Sequence, residues 1–162
     1  PKIRIPFRQI ASFGQIVQGN FSELKNMYDR IEQKYDEKML KERLEKSQAW
    51  IEKFNPEMKI RVREDVNIGY FKKMNKEEKE EVTRLSEGIK KKMDVEKLTS
   101  LVYEIPKKPD MTEEEKKIAQ RNFFRNVYQM LINADTGPRL PTFLLALGNK
   151  KVEKLLNINK RG

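Results

Sequence analysis

Apolar residues recur at three- and four-residue spacing in short stripes, each bounded by a helix cap or a breaker, along nearly all of this 162-residue chain. That pattern restricts the fold to helices packed on helices. Phe7, Ile10, Phe13 and Val17 follow Pro6 as a first stripe, with Pro6 suited to the first turn and Gly19-Asn20 ending the helix. Leu24, Tyr28, Ile31 and Tyr35 form a second. Asp36 is placed to cap a third that carries Leu40, Leu44, Ser47, Ile51 and Phe54 on one face, with Trp50 beside them, and Asn55-Pro56 stops it. Further on, Asn75 caps a highly charged helix with a narrow stripe of Val82, Leu85, Ile89 and Met93. Asp94 opens a shorter one with Val95, Leu98, Leu101 or Val102, and Ile105, ended by Pro106 and Pro109. Thr112 and Glu115 have capping-box spacing and start a helix striped with Ile118, Phe124, Val127, Tyr128 and Leu131, with Phe123 alongside. After the Asp135-Thr136-Gly137-Pro138 turn, Pro141 begins a short apolar helix that Gly148 terminates. Asn149 then caps a last helix carrying Val152, Leu155 and Leu156.

Between Glu57 and Lys73 the helical period is lost. Met58, Ile60 and Val62 alternate with Lys59, Arg61 and Arg63, but so short a run cannot make a sheet alone. The expected organisation is an N-terminal helical subdomain over 1–56, an irregular connection over 57–74 and a C-terminal helical subdomain over 75–162. Together they predict one all-α domain, a compact bundle or cage of seven or eight helices in two packed halves. No repeat at a fixed period supports a solenoid.

Residue types that are missing narrow the chemistry. With no cysteine and no histidine, the chain can form no disulfide, no Cys/His zinc site, no Cys nucleophile and no histidine general base. Carboxylates are plentiful, in Glu77-Glu78, Glu80-Glu81 and Glu113-Glu114-Glu115, but all fall in charged early turns that read as solvated. A general acid needs a partly desolvated site, so no catalytic residue and no metal site are nominated. Gly137 is not followed by the Lys-Ser/Thr of a phosphate loop. The N-terminus lacks the apolar core of a signal peptide, and no run approaches the length of a membrane span, so a cytoplasmic protein without membrane attachment is expected. The chain opens on Pro1 rather than an initiator methionine, as a processed product or a fragment would.

The net charge of +10 is unevenly spread. Residues 1–20 hold three bases and no acid, and residues 141–162 hold five bases and one acid. The 51–75 connection is also basic, whereas the charged stretches 21–50 and 76–110 balance to zero. Even Lys90-Lys91-Lys92 reads as the dipole-complementing end of an otherwise acidic helix. Basic excess beside aromatic residues points to a polyanion, with nucleic acid foremost. Candidate contacts are therefore Arg4 and Arg8 at the start and Lys150, Lys151 and Lys154 near the end. Tyr70-Phe71-Lys72-Lys73 adds two rings next to two cations, a pairing suited to unpaired bases and their phosphates; the alternative, slightly favoured, is that the rings plug one end of the helical stack. Arg139, in a Gly-Pro-Arg turn, either presents its guanidinium to RNA or caps the carbonyl end of the preceding helix.

The stretch from Phe123 to Ile132, with Phe123-Phe124-Arg125-Asn126 at its start, is followed by Gly137-Pro138-Arg139-Leu140-Pro141-Thr142-Phe143 and a helix closing on Gly148. This arrangement resembles the C-terminus of class I lysyl-tRNA synthetases. Ile5-Pro6-Phe7-Arg8 resembles the start of that family's C-terminal helical region, while residues 20–110 are similar only in helical character. The resemblance implies an anticodon-binding helical cage that performs no chemistry itself and recognises the anticodon arm of lysine tRNA, whose unpaired bases are uridine-rich. It further implies a catalytic domain as partner, with ATP as that domain's ligand and no cofactor in this fragment. The family's His-Ile-Gly-His-type signature cannot occur in a chain without histidine. Lys73-Met74-Asn75-Lys76 is superficially similar to the second signature, Lys-Met-Ser-Lys-Ser, but opens a helix with no nucleotide fold around it. The rival reading is a helical protein-interaction scaffold whose basic ends dock an acidic partner.

Overall fold

The computed structural model describes residues 4–158, and every element among them is helical. Nine α-helices occur among the described residues where the stripes predicted seven or eight, and the chain divides into two compact units, Pro1–Arg61 and Val62–Gly162.

The first unit holds α1 (Phe7–Ile16), α2 (Phe21–Arg30) and α3 (Glu37–Phe54), with α1 packed against both others. Pro6 sits just outside α1, at its N-cap. Asn20 does more than end a helix: its side chain accepts from the Glu23 amide at 3.0 Å and so starts α2. Asp36 caps α3 by accepting from the Met39 amide at 2.9 Å. Gln18 and Gly19 turn the chain between α1 and α2 in left-handed conformations. The core is Ile10, Phe13, Leu24, Met27, Tyr28, Leu40, Leu44 and Ile51, and the Phe13 and Tyr28 rings meet at 5.5 Å. Burial of each large side chain contributes about 1.5–3 kcal/mol. Gly14 lets α1 approach α3 closely, since a Cβ there would lie 2.6 Å from Gln48 Nε2 and 2.7 Å from Leu44 Cδ1. The Arg43 guanidinium donates to the Ile5 carbonyl at 2.6 Å and ties the entering chain to α3.

Two residues of the expected stripes in this unit, Phe7 and Phe54, are on the surface instead, and so is Trp50 beside them. Phe54 is 62% exposed and Trp50 46% exposed. At about 100° per residue the inward arc of α3 is Leu40, Leu44, Ser47 and Ile51, and Phe54 lies at its edge in the last turn. Tyr35 also lies outside its expected helix, because α2 stops at Arg30. Its ring still rests 6.3 Å from that of Tyr28, and its hydroxyl donates to Asp29.

The second unit comprises α4 (Ile68–Lys73), α5 (Lys76–Ile89), α6 (Val95–Glu104), α7 (Glu113–Ile132), α8 (Leu140–Leu147) and α9 (Asn149–Leu156). Helix α5 packs on α6, α7 and α9, while α8 packs on α6 and α9. Val82, Leu85, Leu98, Val102, Phe123, Val127, Leu131, Phe143, Val152 and Leu155 fill the core. Both Asn75 with Glu78 and Thr112 with Glu115 form complete capping boxes. On α7, Ile118 is 64% exposed rather than part of the buried stripe, which begins in earnest at Phe123.

Helix α4 lies inside the stretch expected to be irregular. Six residues are under two turns, too few to show a period, and the helix rests on local bonds instead. Asn67 Oδ1 accepts from the Tyr70 amide at 3.3 Å, while its Nδ2 donates to the Gln129 carbonyl at 3.0 Å and so docks α4 on α7. The alternating segment before it forms no strand among the described residues. It is held by single bonds within each unit: Arg61 Nη1 to the Gln15 carbonyl, and the Arg63 amide to the Leu131 carbonyl.

At the other end, Gly148 rather than Asn149 is the N-cap of α9, and it is also the C-cap of α8. Its φ of 89° and ψ of 150° belong to a region open essentially only to glycine, so no residue with a capping side chain can stand there.

Candidate nucleic-acid interface

The nominated residues fall into two sets by unit. In the first unit Arg4 and Arg8 are exposed, and Arg8 lies in the first turn of α1, which carries no acid. All the others lie in the second.

On α4 the four consecutive residues split. The Tyr70 hydroxyl donates to Asn126 Oδ1 at 2.7 Å, so its polar end is spent on α7. Burial raises the Tyr70 pKa, with Glu78 and Asp135 adding and Arg125 opposing. Phe71 keeps part of its ring open, with Lys79 Nζ 5.3 Å from the centroid. Lys72 and Lys73 are exposed in the last turn. Phe71, Lys76, Lys79, Glu80, Thr83 and Arg84 line an open cleft of about 780 Å³, three cations against one carboxylate beside an aromatic ring.

A second cleft was not anticipated. Lys117, Gln120, Arg121, Phe124 and Tyr128 of α7 face Asp135, Thr136 and Gly137 across about 410 Å³. Positions 117, 121, 124 and 128 form a single helical stripe, a signal present in the sequence but hidden by reading Phe124 and Tyr128 as core alone. The turn is pinned to this wall. The Tyr128 hydroxyl donates to the Pro138 carbonyl, and Gly137 sits where a Cβ would lie 2.8 Å from Ile132 Cδ1 and 3.0 Å from Tyr128 ring carbons. Arg139 follows as the N-cap of α8, exposed, and among the described residues its guanidinium makes no hydrogen bond to the last carbonyls of α7. That position is instead closed by Asn133 in a left-handed conformation.

On α9, Lys150 and Lys154 are exposed and, four residues apart, share a face. Lys151 is half-buried towards the side of Leu155. The described residues contain no group of three or more Asp or Glu side chains able to hold a metal ion, and no helix among them is long and apolar enough to cross a membrane.

Two glutamates expected to be solvated are partly buried. Glu78 continues the Val82-Leu85-Ile89 stripe one turn back and meets Asn122 and Asn126 of α7, and Glu81 is half-buried on the same helix. Burial pushes Glu78 up, but bonds from the Asn75 amide, Asn126 and Asn122 outweigh it, and its pKa is lowered. Glu81 has no such donors. Burial, then the Glu78 charge, push its carboxyl up to about 7 against the opposing pull of Arg84.

Between about pH 4.5 and 7 the folded chain therefore holds a proton that the unfolded chain has released, and stability falls as pH rises through that window. Glu81→Gln should raise the unfolding temperature at about pH 8 and match the parent chain near about pH 4. Thermal unfolding followed by circular dichroism across that range checks it; parallel curves for the two chains would remove Glu81 as the cause.

No family model matches the chain. It is similar to the lysine–tRNA ligase of Streptomyces coelicolor, at 30% identity over 94% of this chain and 28% of that protein. The lysine–tRNA ligase of Borrelia garinii is 27% identical over 97% of the chain and 30% of its own length. Its counterpart from Archaeoglobus fulgidus is 25% identical over 89% and 28%. These relatives are lysine–tRNA ligases. The chain spans less than a third of the length of each, and the match runs through both compact units.

Proposed function

We propose that the chain is the anticodon-arm-binding part of a class I lysine–tRNA ligase and selects lysine tRNA for that enzyme. The observation that carries this reading is similarity to lysine–tRNA ligases over nearly the whole chain, in a helical protein of net charge +10. Exposed cations beside aromatic-walled clefts supply the two contacts that a single-stranded loop requires, phosphate neutralisation and ring stacking. Lys72, Lys73, Arg139, Lys150 and Lys154 hold phosphates, with Arg4, Arg8 and Lys151 in support. Phe71 offers a ring, whereas Tyr70 serves mainly to hold α4 in place. Aminoacylation, with its ATP, belongs to a catalytic domain to which this part is joined; the residues of this chain bind and orient the RNA.

A gel shift comparing lysine tRNA with an unrelated tRNA tests the reading. Preference for lysine tRNA supports it, and equal weak binding to both leaves only general polyanion affinity, as the scaffold reading would have it. Arg139→Ala should weaken lysine tRNA binding several-fold, reduce the salt slope by about 0.7, and leave thermal unfolding unchanged. An unaltered affinity at low salt would remove Arg139 from the interface.

A further inference from the structure

Three aromatic side chains of the first unit stand in the open. Phe7 of α1 is 41% exposed, and Trp50 and Phe54 of α3 are 46% and 62% exposed. They are not scattered. The Phe7 and Trp50 rings meet at 6.2 Å with an interplanar angle of 87°, and Trp50 and Phe54 meet at 5.8 Å and 44°, so the three make one continuous strip. Each ring steadies the next. Part of the rotamer freedom that a binding partner would otherwise have to quench is already gone.

The charges around the strip are one-sided. At about 100° per residue, Lys46 and Lys53 lie within about 60° of Trp50 around α3. Glu45 and Glu52 lie about 140–160° away, and Glu42 stands about 80° round and two turns back. Lys53 Nζ sits 5.2 Å from the Phe54 centroid, and Arg8 follows Phe7 on α1. None of Arg8, Lys46 and Lys53 forms an ion pair among the described residues. An acidic protein surface would match the cations but not the open rings. Unpaired nucleotides match both, with a π-face for each ring and a phosphate for each cation.

We propose that Phe7, Trp50 and Phe54 are a stacking platform for unpaired bases of single-stranded RNA, with Arg8, Lys46 and Lys53 holding the adjoining phosphates. The proposal rests on the reading that the partner is RNA, and it adds a base-contacting surface in the first unit to the clefts and cations of the second.

Trp50 is the chain's one tryptophan, so its emission reports on this surface alone. The 162-residue chain is titrated with an oligouridylate and, separately, with an abasic oligomer of the same length and charge. The expected result is quenching of Trp50 by the oligouridylate and none by the abasic oligomer. Trp50→Ala should weaken oligouridylate binding about tenfold while leaving abasic binding unchanged, and Trp50→Phe should keep most of the affinity. Oligouridylate or lysine tRNA binding that leaves Trp50 emission unchanged, with Trp50→Ala at parental affinity, overturns the platform and leaves the tRNA reading standing. A chain that retains neither RNA overturns both. Emission that instead shifts as the chain alone is concentrated, with a dimer seen in sedimentation, makes the strip a self-association face and also overturns the proposal.

Discussion

Phe143→Ala should lower the unfolding free energy by about 3–5 kcal/mol, a large part of the roughly 5–15 kcal/mol that holds a domain of this size together. Phe143 is completely buried in α8, an almost wholly apolar helix of eight residues packed against α6 and α9. So short a helix has little stability of its own and exists because its side chains fill the core. Removing the ring costs both its transfer from water and the cavity left among Leu140, Leu144 and their neighbours. Urea unfolding followed by far-ultraviolet circular dichroism measures the loss. A change under about 1 kcal/mol would mean that the site collapses around the smaller residue.

Asn126→Leu should cost about 2–4 kcal/mol although it replaces a buried polar side chain with an apolar one of similar size. Asn126 joins three helices. Its Nδ2 donates to Glu78 Oε2 of α5 at 2.8 Å, and its Oδ1 accepts from the Tyr70 hydroxyl of α4 at 2.7 Å. Leucine leaves the Tyr70 hydroxyl without this acceptor and takes one donor from a carboxylate, for which hydrogen bonds are worth most. Asn122 still donates to the same Glu78 oxygen at 3.0 Å, so the carboxylate keeps one side-chain donor. The same substitution should raise the Glu78 pKa, since the Asn126 bond is among the forces holding it down. Urea unfolding gives the first quantity and carbon NMR titration of Glu78 the second. A stable variant with an unmoved Glu78 would show that the network is not what holds α4 against α7.

Much of this fold is readable wherever a stripe is long and its cap is chemical. Thr112 with Glu115, Asp36 and Asp94 announce their helices by side chains that bond one turn ahead, and the structure places those bonds. Helix α4 was not readable because its supports, Asn67 to Gln129 and Tyr70 to Asn126, join residues 62 and 56 positions apart. Exposure at the edge of a stripe was equally hidden. Phe54 and Ile118 keep helical spacing with buried neighbours, and only the position of the opposing helix decides which side of the boundary they occupy. In the candidate interface the cations could be nominated from charge alone. Their company could not: Lys117 and Arg121 beside Phe124 were masked by the aromatic run, and the burial of Glu78 depends on where α5 meets α7.

The corner between α8 and α9 consists of Gly148 alone. With no intervening loop, the two dihedral angles of one residue must deliver α9 to its seat on α5 and α7, much as a single pivot sets the aim of a lever. Lys150 and Lys154 begin two residues beyond that pivot, so their bearing is fixed by Gly148 together with the packing of α9 on α5, α7 and α8. A residue inserted in the first turn of α9 would swing the charged face round by about 100° relative to Gly148 and bring the buried Val152 and Leu155 towards solvent. The length of the chain here is therefore as constrained as its composition.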